Sequence, residues 1–252
     1  MDARLQELRR SSERLRALVT PLDDDALESQ AYPTEWSIAQ VLSHIGSGAV
    51  IVQRRLDDGL AGRPFPDDFA PGVWDTWNAK PARAMAEDAL VSDAALVERL
   101  EGVSDEDLAA FRFRLGPREF DGPGMIGLRL NEHTFHTWDV AVALDPAATL
   151  APGAVAHVID NLGFAATFSA RPTGSDRIVT VRTTDPDRTF TIALTPDAVT
   201  FGPGDGGRDP DLTLPAEAFA RLVYGRLDPG HTPAFEGDPD LLAELRRAYP
   251  GF

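Results

Sequence analysis

The sequence predicts an α+β protein of two domains: an N-terminal four-helix bundle, then a small α+β domain with a mainly antiparallel sheet. Three observations carry this. Apolar residues recur at helical spacing through the first 144 positions. Period-two alternation begins only at Arg177. The texture changes between them, near Asp145-Pro146, which sets the expected division at residues 1–148 and 149–252.

The first helix runs from about Ala3 to Val19, with Leu5, Leu8, Leu15 and Leu18 along it and Pro21 ending it. The second runs from about Ser37 to Leu56, with Thr34 or Ser37 as N-cap. Residues Ala61 to Asn78 form a long Gly/Pro/aromatic connection holding Phe65, Phe69, Trp74 and Trp77. A connection of that length often covers a pocket. The third helix spans about Pro81 to Leu100, a short extended piece follows at Phe111 to Leu115, and the fourth helix spans about Pro123 to Leu144. Four long helices joined this way make a bundle.

One more helix, about Gly153 to Phe168, opens the second domain. Arg177 to Thr183 and Thr189 to Leu194 alternate around an Asp185-Pro186-Asp187 turn. Ala198 to Phe201 and Asp211 to Leu214 are further strands about a Gly-rich turn at Gly202 to Gly207. Helices at about Ala216 to Tyr224 and Pro239 to Ala248 cover the sheet.

Composition narrows the function. A net charge of −16, from 24 basic and 40 acidic residues, argues against nucleic acid and anionic membrane as partners. No apolar run is long enough to span a bilayer, and the N-terminus is not a signal peptide, so a cytoplasmic location is the expectation. Lys80 is the one lysine, so anion binding would fall to individual arginines. There is no cysteine, which removes disulfides, thiolate metal sites and a protein-borne sulfur nucleophile.

Two segments carry the chemistry. One is Pro33-Thr34-Glu35-Trp36-Ser37-Ile38-Ala39-Gln40-Val41-Leu42-Ser43-His44; the other is Arg129-Leu130-Asn131-Glu132-His133-Thr134-Phe135-His136-Thr137-Trp138-Asp139. On a helix, Glu132 and His136 stand one turn apart on one face. His44 from a neighbouring helix would complete two imidazoles and a carboxylate, the donor set of an open zinc site.

A surface i,i+4 pair is the plain alternative for Glu132 and His136. Against it stands a helix apolar on nearly all sides, through which Arg129, Glu132, His136 and Asp139 run as a polar stripe. Charges facing a bundle interior are costly unless paired or metal-bound. His44 could equally be a satisfied core histidine, and His133, at i,i+3 spacing from His136, competes with Glu132 as ligand. His157 and His231 read as structural or surface residues. Trp74 and Trp77 are either core packing or a substrate wall. Arg226, which follows an apolar helix into a turn, is either a helix-end cap or an anion clamp.

The same two segments resemble the signature segments of the mycothiol-dependent maleylpyruvate isomerase family, within the DinB-like metal-binding bundles. The stretches Leu214 to Pro229 and Phe235 to Leu242 are similar to that family's sterol-carrier-protein-like second domain. The resemblance implies zinc, or another divalent metal, on His44, Glu132 and His136, and mycothiol as cosubstrate. A metal-activated thiolate would add to a cis double bond conjugated with a carbonyl, and rotation and thiol expulsion would give the trans isomer. The enolate needs positive charge nearby, for which Arg226 is the candidate. Arg226 and Asp139 are thus the candidate catalytic residues, and Trp74, Trp77 and Arg129 the candidates around the thiol.

Thiol transfer to an electrophile is the other activity the resemblance allows. A metal-binding bundle with a small-ligand domain, in a sensing or storage role, is the non-enzymatic alternative. The expected partners are a small thiol and an electrophile, for a monomer or homodimer.

Overall fold

The computed structural model describes residues 2–116 and 118–251, and the chain divides into two compact units, Met1–Thr149 and Leu150–Phe252. In the first unit the long helices are α1 (Ala3–Val19), α3 (Ile38–Leu60), α5 (Ala82–Glu101) and α7 (Gly122–Leu144). Helix α1 packs on α5 and α7, and α3 packs on the same two, closing a four-membered bundle. Its largest buried side chains include Leu8, Leu15, Ile38, Leu42, Leu96 and Phe135, all nearly inaccessible to water.

Local chemistry fixes where these helices start. Asp2 caps α1 by accepting from the Arg4 amide. Ser37 and Gln40 form a reciprocal capping box at α3, so of the two N-cap candidates Ser37 is the cap. Asp121 caps α7, whose second residue is Pro123, a position where the missing N–H leaves nothing unsatisfied.

The connection from Ala61 to Asn78 is corrected by the structure, because its second half is a helix, α4 (Phe69–Asn78). Pro71 falls in the first turn, where its lack of an N–H costs no hydrogen bond. Two short helices, α2 (Asp24–Glu28) and α6 (Asp105–Ala110), also lie where no element was expected. The extended piece is one strand of a hairpin, β1 (Arg112–Leu115) with β2 (Arg118–Asp121). Gly116 turns it with φ 57, a left-handed conformation that glycine adopts without a Cβ clash.

In the second unit the expected helix over Gly153 to Phe168 is broken. It runs as α8 (Pro152–Val158), a single 3-10 turn at Ile159–Asn161, and α9 (Leu162–Ser169). Asn161 and Gly163 are weak helix formers at the break.

Strands β3 (Arg177–Thr184), β4 (Arg188–Leu194), β5 (Val199–Pro203), β6 (Leu212–Pro215) and the two-residue β7 (Glu236–Gly237) form one sheet in the order β5-β4-β3-β6-β7. All neighbours are antiparallel except β3 and β6. Val179 and Val181 of β3 and Phe190, Ile192 and Leu194 of β4 face inward in alternation. Helix α10 (Ala216–Val223) covers that face, with Phe219 stacked among Phe190 and Phe201. Helix α11 (Pro239–Ala248) follows. No helix among the described residues is long and apolar enough to cross a membrane.

Candidate metal centre

Helices α3 and α7 bring His44, Glu132 and His136 together, with one ligand atom of each within 4.8 Å of the others. The Oε2 of Glu132 lies 3.4 Å from His44 Nε2 and 3.6 Å from His136 Nε2. Both distances are long for a hydrogen bond. They match the edge of a tetrahedral shell, about 3.4 Å when ligand bonds are near 2.1 Å. The three side chains therefore converge on a shared point, with Glu132 at the limit of hydrogen-bonding reach from His44. That donor set fits a divalent metal of the zinc type, and one side stays accessible, since the Glu132 side chain is 51% exposed.

The protonation states suit ligation. Desolvation lowers the His44 pKa, the neighbouring His136 and Arg129 add to that, and Glu132 opposes it without prevailing. Desolvation opposes ionisation of Glu132, but His136 and His44 overcome it and hold its carboxyl far below the ordinary range. A neutral imidazole and an ionised carboxylate are the forms that bind metal.

Asp139, fully buried, has its Oδ2 2.8 Å from His136 Nδ1. An ionised carboxylate can only accept there, so the ring carries a proton on Nδ1 and presents Nε2 toward Glu132. Asp139 thus fixes the orientation of the His136 ring.

Above the pair lies Trp36, its ring 5.3 Å from His44 and stacked 6.1 Å from His136. Its loop is tied down by Gln30, whose amide donates to the carbonyls of Pro33 and Trp36, and by the Tyr32 N–H, which donates to the Asp139 carbonyl. The sequence reading missed Trp36 as a site residue, although its place beside the Ser37 cap puts it at the mouth of α3.

His133 points elsewhere. It is wholly buried, with Nδ1 2.8 Å from Ser11 Oγ and 3.1 Å from Thr137 Oγ1, and Nε2 3.0 Å from Asp93 Oδ2. Both ring nitrogens are occupied, which removes it from the ligand set. Asp93 also accepts from Arg129 Nη2 at 2.9 Å, and the same nitrogen donates to the Ile45 carbonyl. Burial opposes the Asp93 charge, yet His133, Arg129 and Ser12 hold its pKa well below the usual range. Asp93 went unnoticed in the sequence, where a lone acid inside the apolar run Ala89 to Val97 was the available signal.

The remaining candidates separate. Trp77 is 6% exposed and packs in the core, so close under Gly46 that a Cβ there would sit 2.4 Å from its ring. Gly46 is two residues from His44, roughly 200° around the helix. Trp77 is thus on the opposite face of α3 from His44, in the core-packing role. Trp74 is 46% exposed on α4. Arg226 belongs to the second unit, where Nη1 donates to the carbonyl of Tyr224 at the end of α10. His231 pairs with Asp228.

A helical bundle with two imidazoles and a carboxylate at its rim, joined to a small α+β unit, defines the class of protein. The chain belongs to the mycothiol maleylpyruvate isomerase family: the sequence model of that family's N-terminal domain matches residues 8–141. Two solved structures share the fold, a mycothiol-dependent maleylpyruvate isomerase and a mutant of a mycothiol-dependent maleylpyruvate isomerase. Each superposes with a TM-score of 0.66 over 90% of both chains, at 13% and 12% identity. None of the curated proteins matches the sequence.

Proposed function

We propose that the protein is a metal-dependent enzyme that uses a small thiol, mycothiol, against an electrophile, by cis–trans isomerisation of a maleylpyruvate-like substrate or by S-transfer. The observation that carries this reading is the convergence of His44, Glu132 and His136 at an accessible rim.

These three side chains would hold the metal, zinc being the first expectation from the donor set. The chemistry a divalent metal supplies when bound is Lewis acidity, which brings the pKa of a coordinated thiol or water toward neutrality. The chain's own groups prepare the place. Asp139 keeps the His136 proton on Nδ1, and Glu132 remains an anion between two imidazoles. Trp36 walls one side, its ring lying against both imidazoles. Because the chain has no cysteine, the sulfur nucleophile must come from the cosubstrate.

Isomerisation and transfer share their first event, addition of the thiolate to the electrophile. They part on whether the thiol is later expelled.

The test is turnover of a panel of electrophiles by metal-loaded protein, with and without mycothiol. Isomerised product with thiol regenerated marks an isomerase, and a stable conjugate marks a transferase. Turnover indifferent to the thiol sinks the reading. Tight metal binding with no turnover across the panel favours the sensing or storage role.

A further inference from the structure

One turn below the cluster on both helices, α7 carries Arg129 and α3 carries Gly48. Arg129 precedes Glu132 by three residues, and Gly48 follows His44 by four, so each shares a face with its ligand. The Arg129 side chain is 5% exposed. All of its hydrogen bonds come from one nitrogen, Nη2, to Asp93 and to the Ile45 carbonyl. Its Nε is buried without a partner. Its Nη1 makes no hydrogen bond either, and points at the bare Cα of Gly48, where a Cβ would lie 3.1 Å away.

The plain role for Arg129 is counter-ion to the buried Asp93, but that role leaves too much unexplained. A guanidinium that only neutralised a carboxylate would meet it with its planar fork, through two nitrogens at once. Here Asp93 gives its second oxygen to His133, and the guanidinium Nε stays buried without a partner while Nη1 faces Gly48. An unspent buried donor is costly, and a guanidinium held this way has hydrogen-bonding capacity to give to something the protein does not supply. A side chain on position 48 would crowd the same nitrogen.

We propose that Arg129 Nη1, reached past Gly48, is the group that anchors a carboxylate of the electrophile. The substrate role rests on the function proposed above; the anion site itself does not. Asp93 and His133 act as positioning residues, since they hold Nη2 and so aim Nη1.

Gly48→Ala tests this cleanly. Alanine is the better helix former, so the substitution should leave melting temperature unchanged or raised. It should nevertheless displace Nη1 and weaken carboxylate binding. Calorimetric or NMR titration of the full chain, with the metal it carries on purification, would use succinate as probe and dimethyl succinate as its uncharged control. The expected result is succinate affinity about tenfold or more weaker in Gly48→Ala, as for loss of a hydrogen bond to a charged group, with the diester indifferent.

Arg129→Lys, which keeps a charge beside Asp93, should lose a similar factor while staying folded. Equal succinate affinity in wild type and both variants would overturn the proposal. So would succinate binding that vanishes on chelation but is untouched by Gly48→Ala, because the carboxylate would then sit on the metal. Succinate binding that obeys the prediction in a protein without thiol-dependent turnover would sink the proposed reaction and leave the anion site standing.

Discussion

His136 and His133 are three residues apart on one helix, each faces a carboxylate, and they end in opposite circumstances. His133 meets Ser11, Thr137 and Asp93, so every polar atom of its ring has a protein partner and no water reaches it. His136 meets Asp139 through Nδ1, and its Nε2 lies 3.6 Å from Glu132 Oε2 in the cluster that includes His44. The residue types are nearly the same in both places. The difference is access: the network around His133 is sealed from water, whereas the cluster at Glu132 reaches it, the Glu132 side chain being 51% exposed.

The comparison breaks most visibly at the ligands. His44→Ala and His136→Ala should each abolish stoichiometric metal binding, measured by elemental analysis after purification, while His133→Gln keeps its metal. Retention of full metal in both alanine variants would show that the rim cluster is only a hydrogen-bonded pair.

Stability should divide the other way. Asp93→Asn leaves the Arg129 charge buried and uncompensated, so a loss of about 3–5 kcal/mol is expected, read from denaturant unfolding. The sign with pH follows from the depressed carboxyl. Because the folded pKa lies below the unfolded value near 4, its contribution is complete above about pH 4 and is lost as pH falls further. Asp93→Asn should therefore flatten the acid limb of the stability curve. An unchanged limb would mean that the network does not act through this charge.

A smaller effect sharpens the same contrast. Asp139→Asn preserves shape but removes the charge behind His136, and metal affinity should fall by roughly 10–100-fold in competition with a chelator. Fold and melting temperature should change far less than in Asp93→Asn. Undiminished affinity would mean that His136 needs no partner to hold its orientation.

The meeting of His44, Glu132 and His136 was legible because half of it is local. Helical periodicity puts 132 and 136 on one face, and a second amphipathic segment with a histidine near its start supplies the third group. The buried network was not legible, because its contacts join residues 122 and 40 positions apart and depend on which faces of α1, α5 and α7 meet. Nothing in a helical repeat encodes that rotation.

Helix α4 was hidden by a different cause. Pro71 and Gly72 look like breakers in sequence, yet a proline in a first turn obstructs nothing. The break at Ile159–Asn161 was missed for the converse reason, a run apolar enough to mask two weak helix formers.

Gly46 has a bearing on how this scaffold could be retooled. With the Trp77 ring 2.4 Å and the Ala89 Cα 2.8 Å from where its Cβ would be, α3 is clamped on that side and tolerates no side chain. A library randomised at position 46 would return glycine, whatever activity was selected. New specificities would have to be sought on the other side of α3, where the helix has room to vary without moving His44.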